Sequence, residues 1–249
     1  MVNSFTERLI IMNYPECSGG KLIANCLSFS KNVIPLGTPE QINPFLQDEV
    51  NSNRINHIFS SLPNTNDIKS WRSYELKTSG IWGQHRNLDI RFNNYVVSKI
   101  LEQNKFFFAI SHCEQRTKLL KSAWPNAKII SVTNFAIHRC KSYILGKNGD
   151  RSESYNTKRG PSWPNIKDLT YTNIPEFMLA ELKDLFPMSP YSDSGSNFVV
   201  DVEKFLENKN YFLETITHIS NRIGLTDLDI ATSTEYYTQY LKVHGIISS

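Results

Sequence analysis

The stretch LIIMNYPECSGGKLIANCL, residues 9–27, decides how the rest of the chain is read. It opens on Leu9-Ile10-Ile11-Met12, an apolar run of the kind that forms a parallel strand buried on both faces. Pro15 ends that strand, because it has no N–H to give to a ladder. Beyond Gly19-Gly20, the residues Leu22, Ile23, Cys26, Leu27 and Phe29 recur at helical spacing, which predicts a helix over Gly20 to Ser30.

A strand that turns through glycines into a helix suits an anion. The helix start leaves about four backbone N–H groups without partners, and the helix dipole makes that end positive. Gly19 and Gly20 let the backbone approach an anion with no Cβ in the way, and Lys21 adds a mobile charge. Compared with the Walker A pattern GxxxxGK[ST], Pro15 stands at the first glycine and Leu22 at the Ser/Thr. The missing hydroxyl is the one that holds magnesium, so an enzyme of magnesium-bound nucleoside triphosphates is disfavoured. Read alone, the loop fits a phosphate cradle and a plain strand-to-helix turn with a solvated lysine equally well.

Outward from this unit the chain alternates. Residues 31–90, with Pro35, Pro39, Pro44 and Pro63 among many Asn and Ser, predict loops and short helices. Val96 to Leu101 is amphipathic and leads into Phe106-Phe107-Phe108-Ala109-Ile110, a strand ending at Ser111-His112. A helix with Leu119, Leu120 and Trp124 inward stops at Pro125; Lys128 to Val132 is the next strand and Phe135 to Leu145 the next helix. After a polar loop, residues 147–165, the chain turns helical over Phe177 to Phe186, Val202 to Glu207, Tyr211 to Ile223 and Tyr236 to Val243. The pattern predicts an α/β fold: a parallel β-sheet flanked by helices, in one domain spanning residues 1–249, with a helical C-terminal part from residue 175 onward.

Composition narrows the class. A net charge of +3, with Lys158-Arg159 the longest basic cluster, does not make the basic face that nucleic acid requires. No run reaches membrane-span length, and the first residues do not make a secretory leader. Cys17, Cys26, Cys113 and Cys140 form no CxxC pair and read as reduced thiols of a cytoplasmic protein.

Three segments resemble the sulfotransferases that use 3′-phosphoadenosine 5′-phosphosulfate (PAPS). NYPECSGGKLIANCL is similar to the family's 5′-phosphosulfate loop, roughly YPKSGTTW. FFFAISHCE is similar to its strand ending in K-T-H-L-P, and AKIISVTNFAIHRCKSY to its 3′-phosphate segment, roughly AKIIYVxRNPxDxxVSxY. Setting His112 on the family's histidine puts Asn134 on its arginine and Ser142 on its serine with no gap. NFVVDVEKFLENKNYFLETITHISNRIGL, residues 197–225, resembles the family's late strand and helices. The resemblance implies a P-loop nucleotide-binding-like three-layer architecture and sulfuryl transfer from PAPS to a hydroxyl or amine of a small molecule, glycan or lipid. It implies His112 and Lys21 as catalytic residues, His112 as general base. Cys17, Ser18, Gly19, Gly20, Lys21, Leu22, Asn134 and Ser142 would then be cofactor-binding, and no metal is needed.

The departures from the family are specific. Glu16 stands at the loop lysine, Ile110 at the lysine two before the histidine, and Asn134 at the 3′-phosphate arginine. Lys21 and Lys158-Arg159-Gly160 are the nearest substitutes. Two alternatives from other classes follow: a catalytically altered relative that binds a nucleotide or phosphorylated ligand without transfer, and a small P-loop kinase. A thiol hydrolase built on Cys17 or Cys113 lacks a nameable Cys-His-Asn set. A metal site from His112-Cys113 with His138 and Cys140 is opposed by strand geometry, since neighbouring residues point to opposite faces.

Overall fold

The structure is a computed structural model that describes residues 8–15, 18–34, 105–111, 114–123, 125–145, 169–185 and 195–247. Five strands make one all-parallel sheet: β1 (Leu9–Asn13), β2 (Val33–Ile34), β3 (Phe106–Ser111), β4 (Lys128–Thr133) and β5 (Phe198–Asp201). Their order across the sheet is β2-β3-β1-β4-β5. All five residues of β1 are buried, as expected for a strand with neighbours on both sides and helices above and below. β2 places a short strand at Val33–Ile34, where the sequence predicts loops and short helices over 31–90; the rest of that stretch, the helix expected over Val96 to Leu101 and the loop at 147–165 lie outside the described residues.

Seven helices are described: α1 (Gly20–Leu27), α2 (Glu114–Ala123), α3 (Ala136–Ile144), α4 (Glu176–Leu185), α5 (Val202–Glu207), α6 (Lys209–Ile223) and α7 (Ile230–Val243). Alternation along β1 divides them. Ile10 and Met12 face the main core, where Phe108, Ile130, Val132 and Val200 from the other strands meet α1, α5, α6 and α7. Asn13, of the opposite parity, meets Thr117 of α2, so α2 covers the other face. Cys140 and Ile144 of α3 form a smaller cluster with Ile174, just before α4, and Met178 of α4. Among the described residues no helix is long and apolar enough to cross a membrane.

Several predicted boundaries move for identifiable reasons. The first helix ends at Leu27 and not at Ser30, because Ser28 N–H turns back to the carbonyls of both Ala24 and Asn25 at 3.0 Å. Phe29 is still buried, tilted against the Tyr236 ring at 5.6 Å. The last helix begins at Ile230, six residues before the predicted Tyr236, because the Asp229 carboxylate accepts from Thr232 N–H. Likewise Asn208 caps α6 at Asn210 and Tyr211, so that helix starts at Lys209 and not at Tyr211. The residues added at these starts, Lys209-Asn210 and Ile230 to Glu235, hold only Ile230 and Ala231 as apolar side chains, too few for apolar periodicity to reveal them. Leu120 is buried as expected; Trp124 and the side chain of Leu119 are outside what is described.

Aromatic packing joins the C-terminal helices α5, α6 and α7 to one another. Phe212 stacks on Tyr237 at 4.0 Å and meets Phe205 edge-on at 5.3 Å, while Tyr237 Oη donates to the Phe205 carbonyl at 2.8 Å. Phe212→Ala is expected to cost about 3–5 kcal/mol, from lost burial plus the cavity left behind. Urea unfolding of the folded variant measures it; a loss under about 1 kcal/mol would mean the helices are not held by this cluster.

Candidate functional site

In parallel sheets, ligands sit beyond the carboxyl ends of strands where the connections diverge. Here β1 leads toward β2 on one side and β4 leads toward β5 on the other, and the two are neighbours, with Asn13 beside Ser131. The β1–α1 loop and the β4–α3 turn therefore share one edge.

A polar network fastens the end of β1 before the loop begins. Asn13 is buried, its Nδ2 donating to Ser131 Oγ at 3.0 Å and its Oδ1 accepting from Thr117 Oγ1 at 3.0 Å. Thr117 Oγ1 also lies 2.8 Å from Ser111 Oγ, and Ser131 Oγ 2.6 Å from Ser196 Oγ. Tyr14 N–H donates to the Ser111 carbonyl at 3.0 Å, extending the β1–β3 ladder by one residue. No periodicity signals this network; a buried asparagine at the end of an apolar run is its only trace in the sequence.

Ser18 Oγ donates to the Pro15 carbonyl at 2.6 Å and closes the loop. Gly19 takes the left-handed conformation, φ +82°, and is the N-cap of α1. A Cβ on Gly19 would also stand 2.7 Å from Cγ2 of Val202. A Cβ on Gly20 would collide with the ring of Tyr14. Both glycines are thus required by close approach, the first by backbone conformation as well.

The start of α1 has no side-chain cap and no acidic residue in its first turn, whereas α5, α6 and α7 are capped by Asp201, Asn208 and Asp229. Lys21 is half-buried in that first turn. Leu22 sends its side chain into the core, and its N–H donates to the Gly19 carbonyl at 3.0 Å. Cys17 and His112 lie outside the described residues; Ser111, directly before His112, ends β3 beside Asn13.

At the end of β4, Asn134 is exposed and left-handed, φ +49°, a conformation asparagine tolerates better than most residues. Its Nδ2 donates to Asp201 Oδ2 at 2.7 Å, joining the ends of β4 and β5. Asp201 also accepts from Lys204 N–H at 3.1 Å as the cap of α5. The amide of Asn134 is thereby held by a carboxylate.

In the group behind these loops, the sequence singled out Ser142 as a phosphate contact and His138 only for a disfavoured metal site, and gave no role to Tyr171 or Glu203. His138 is buried at 1% exposure, with Nδ1 3.0 Å from Tyr171 Oη and Nε2 3.5 Å from Ser142 Oγ. Its backbone N–H donates to Glu203 Oε1 at 2.9 Å. Burial, with His244 and Lys141 nearby, lowers its pKa to about 3, so the imidazole is neutral. Burial holds the Glu203 carboxyl above its usual range and keeps the Tyr171 phenol protonated. Lys141 Nζ lies 4.4 Å from the centre of the Tyr171 ring. The four-residue spacing of His138 and Ser142 was visible in the sequence; Tyr171 and Glu203, 33 and 65 residues away from His138, were not.

An open groove of about 410 Å³ runs between Phe198 to Val200 of β5 and Tyr211 to Ile219 of α6, and no residue of the candidate set lines it. Among the described residues no three His, Cys, Asp or Glu side chains gather as a metal site. Comparison with known protein families, with curated proteins and with solved structures finds no match to this chain.

Gly20→Ala is expected to lower stability by roughly 1–3 kcal/mol, as for an overpacked core, because the Tyr14 ring has to move. Thermal or urea unfolding tests it; an unchanged midpoint would show that the loop adjusts freely. His138 gives a pH signature. The unfolded chain takes up its proton near pH 6.5 and the folded one only near 3, so stability is highest above that window. As pH falls through it, stability drops by up to about 1.4 kcal/mol per unit. Unfolding free energies of the wild type and His138→Gln between pH 7 and 4 should diverge with that sign, and parallel profiles would refute it.

Proposed function

We propose that the protein is a PAPS-dependent sulfotransferase acting on a hydroxyl or amine of a small molecule, glycan or lipid. The observation that carries this reading is the β1–α1 loop. It is a glycine turn at the divergence point of a parallel sheet, opening onto a helix start with no acidic side chain of its own and with Lys21 in the first turn. A P-loop nucleotide-binding-like three-layer architecture fits the strand order, with the loop-bearing strand central and helices on both faces. The buried Leu22, standing where Walker A loops carry the magnesium-holding hydroxyl, favours a donor that needs no metal over a P-loop kinase.

In this reading the N–H groups around Gly19 and Gly20, with Lys21, hold the 5′-phosphosulfate and stabilise the charge on the leaving oxygen. Cys17 and Ser18 contribute to the loop. Ser142 and the β4–α3 turn at Asn134 take the 3′-phosphate. His112, the residue after Ser111, removes the proton of the acceptor as sulfur is transferred, a role its near-neutral unperturbed pKa suits. The donor supplies the activated sulfuryl group; the chain supplies orientation, charge and the base. Reduced cysteines fit a cytoplasmic setting.

A second reading, ligand binding without transfer, draws support from Asn134 and Asp201. Where the resemblance has an arginine, this chain has an amide held by a carboxylate, with Glu203 nearby. That arrangement lowers the positive charge available to a polyanion.

Titration calorimetry with adenosine 3′,5′-bisphosphate separates the readings. Binding by the wild type, about tenfold weaker in Lys21→Ala, is expected for both. Sulfuryl transfer to a panel of hydroxyl and amine acceptors, lowered roughly 10²-fold or more by His112→Ala with nucleotide affinity retained, supports the enzyme. Binding with no transfer to any acceptor supports the second reading. Absence of binding by the folded protein would overturn both, and phosphoryl transfer that requires magnesium-ATP would point to a kinase.

A further inference from the structure

Behind the candidate loop lies a hydrogen-bonded chain of which the proposed chemistry uses only Ser142: Tyr171 Oη to His138 Nδ1 at 3.0 Å, then His138 Nε2 to Ser142 Oγ at 3.5 Å. The ring also stands against the loop, with Cδ2 and Nε2 each 3.8 Å from where a Cβ on Gly19 would be. Glu203 holds the backbone of the same residue, fixing the first turn of α3. His138 is thus clamped at three points, with its ring beside Gly19 at one end of the site and Ser142 at the other.

A neutral imidazole carries a single N–H, so the chain has two coherent states. If Nδ1–H donates to Tyr171, Ser142 spends its proton on Nε2 and presents only lone pairs to a ligand. If the Tyr171 hydroxyl donates to Nδ1, Nε2–H donates to Ser142 Oγ, and the serine proton turns outward toward an anion. Tyr171 can play that part because its phenol stays protonated. The ring cannot take a second proton at neutral pH, so the choice lies between these two states alone.

We propose that His138 is a positioning residue that, oriented by Tyr171, turns the Ser142 hydroxyl toward the second phosphate of a nucleoside 3′,5′-bisphosphate. The inference rests on the sulfotransferase-like reading of the loop and adds to it how Ser142 becomes a donor. It accounts for why a serine at 5% exposure, facing another side chain of its own helix, can contribute to ligand recognition. The anion selects the state in which the serine proton faces outward, and the Tyr171–His138 pair sustains that state.

The test is the affinity ratio between adenosine 3′,5′-bisphosphate and adenosine 5′-monophosphate, measured by calorimetry. The wild type is expected to favour the bisphosphate by about tenfold. Ser142→Ala and His138→Asn should each bring the ratio near one, and the double variant should lose no more than either single one. His138→Gln, whose amide reaches the Nε2 position, should restore most of the ratio. Tyr171→Phe, which keeps the ring, should lower it at least threefold, and this variant carries the test if His138→Asn does not fold. A ratio unchanged in His138→Asn or Tyr171→Phe, or additive losses in the double variant, overturns the proposal while leaving the loop reading intact. If the wild type binds neither nucleotide, the loop reading itself fails and this inference falls with it.

Discussion

A central strand bonded on both edges and covered on both faces cannot slip by one residue without turning its side chains inside out. That constraint governs β1, whose register against β3 and β4 is fixed along its length. A slip would push Ile10 and Met12 toward α2 and carry Asn13 into the apolar core. The amide of Asn13, bonded to Thr117 on one side and Ser131 on the other, makes the correct register the one in which a buried polar group is satisfied. Everything at the candidate site starts from this point, because the loop begins at the next residue.

From there the arrangement follows by contact. Tyr14 extends the ladder and lays its ring on Gly20; Gly19, left-handed, rests between Val202 and His138. The loop is therefore supported from behind by α3 and α5, elements reached through β4 and β5. A glycine turn on a fixed floor keeps its backbone groups in place before any ligand arrives, which reduces the ordering cost of binding.

Electrically the edge is uneven. The α1 start has no capping carboxylate, while Asp201 and Glu203 occupy the side toward β5 and bind Asn134 and the α3 backbone. Among the described residues, the helix start favours negative charge at the loop and the two acidic side chains oppose it toward β5. The β4 turn carries an amide–carboxylate pair and, behind it, a neutral, buried histidine. Under the proposed function, recognition at that turn would rely on oriented dipoles more than on net charge.

The sequence alone determined the parallel α/β sheet, the strands at Leu9, Phe106 and Lys128, the glycine turn and the core face of the first helix. All of these are written in local periodicity and in residues that tolerate few backbone conformations. It also showed His138 and Ser142 one helical turn apart. It did not reveal that Asn13 is a buried junction, that Asn134 is held by Asp201, or that Tyr171 and Glu203 converge on His138. Those pairings join residues 33 to 118 positions apart. Only the tertiary structure decided them, because hydrogen-bond satisfaction in a buried interior depends on which groups the folded sheet and helices bring within reach, and sequence distance carries no record of that.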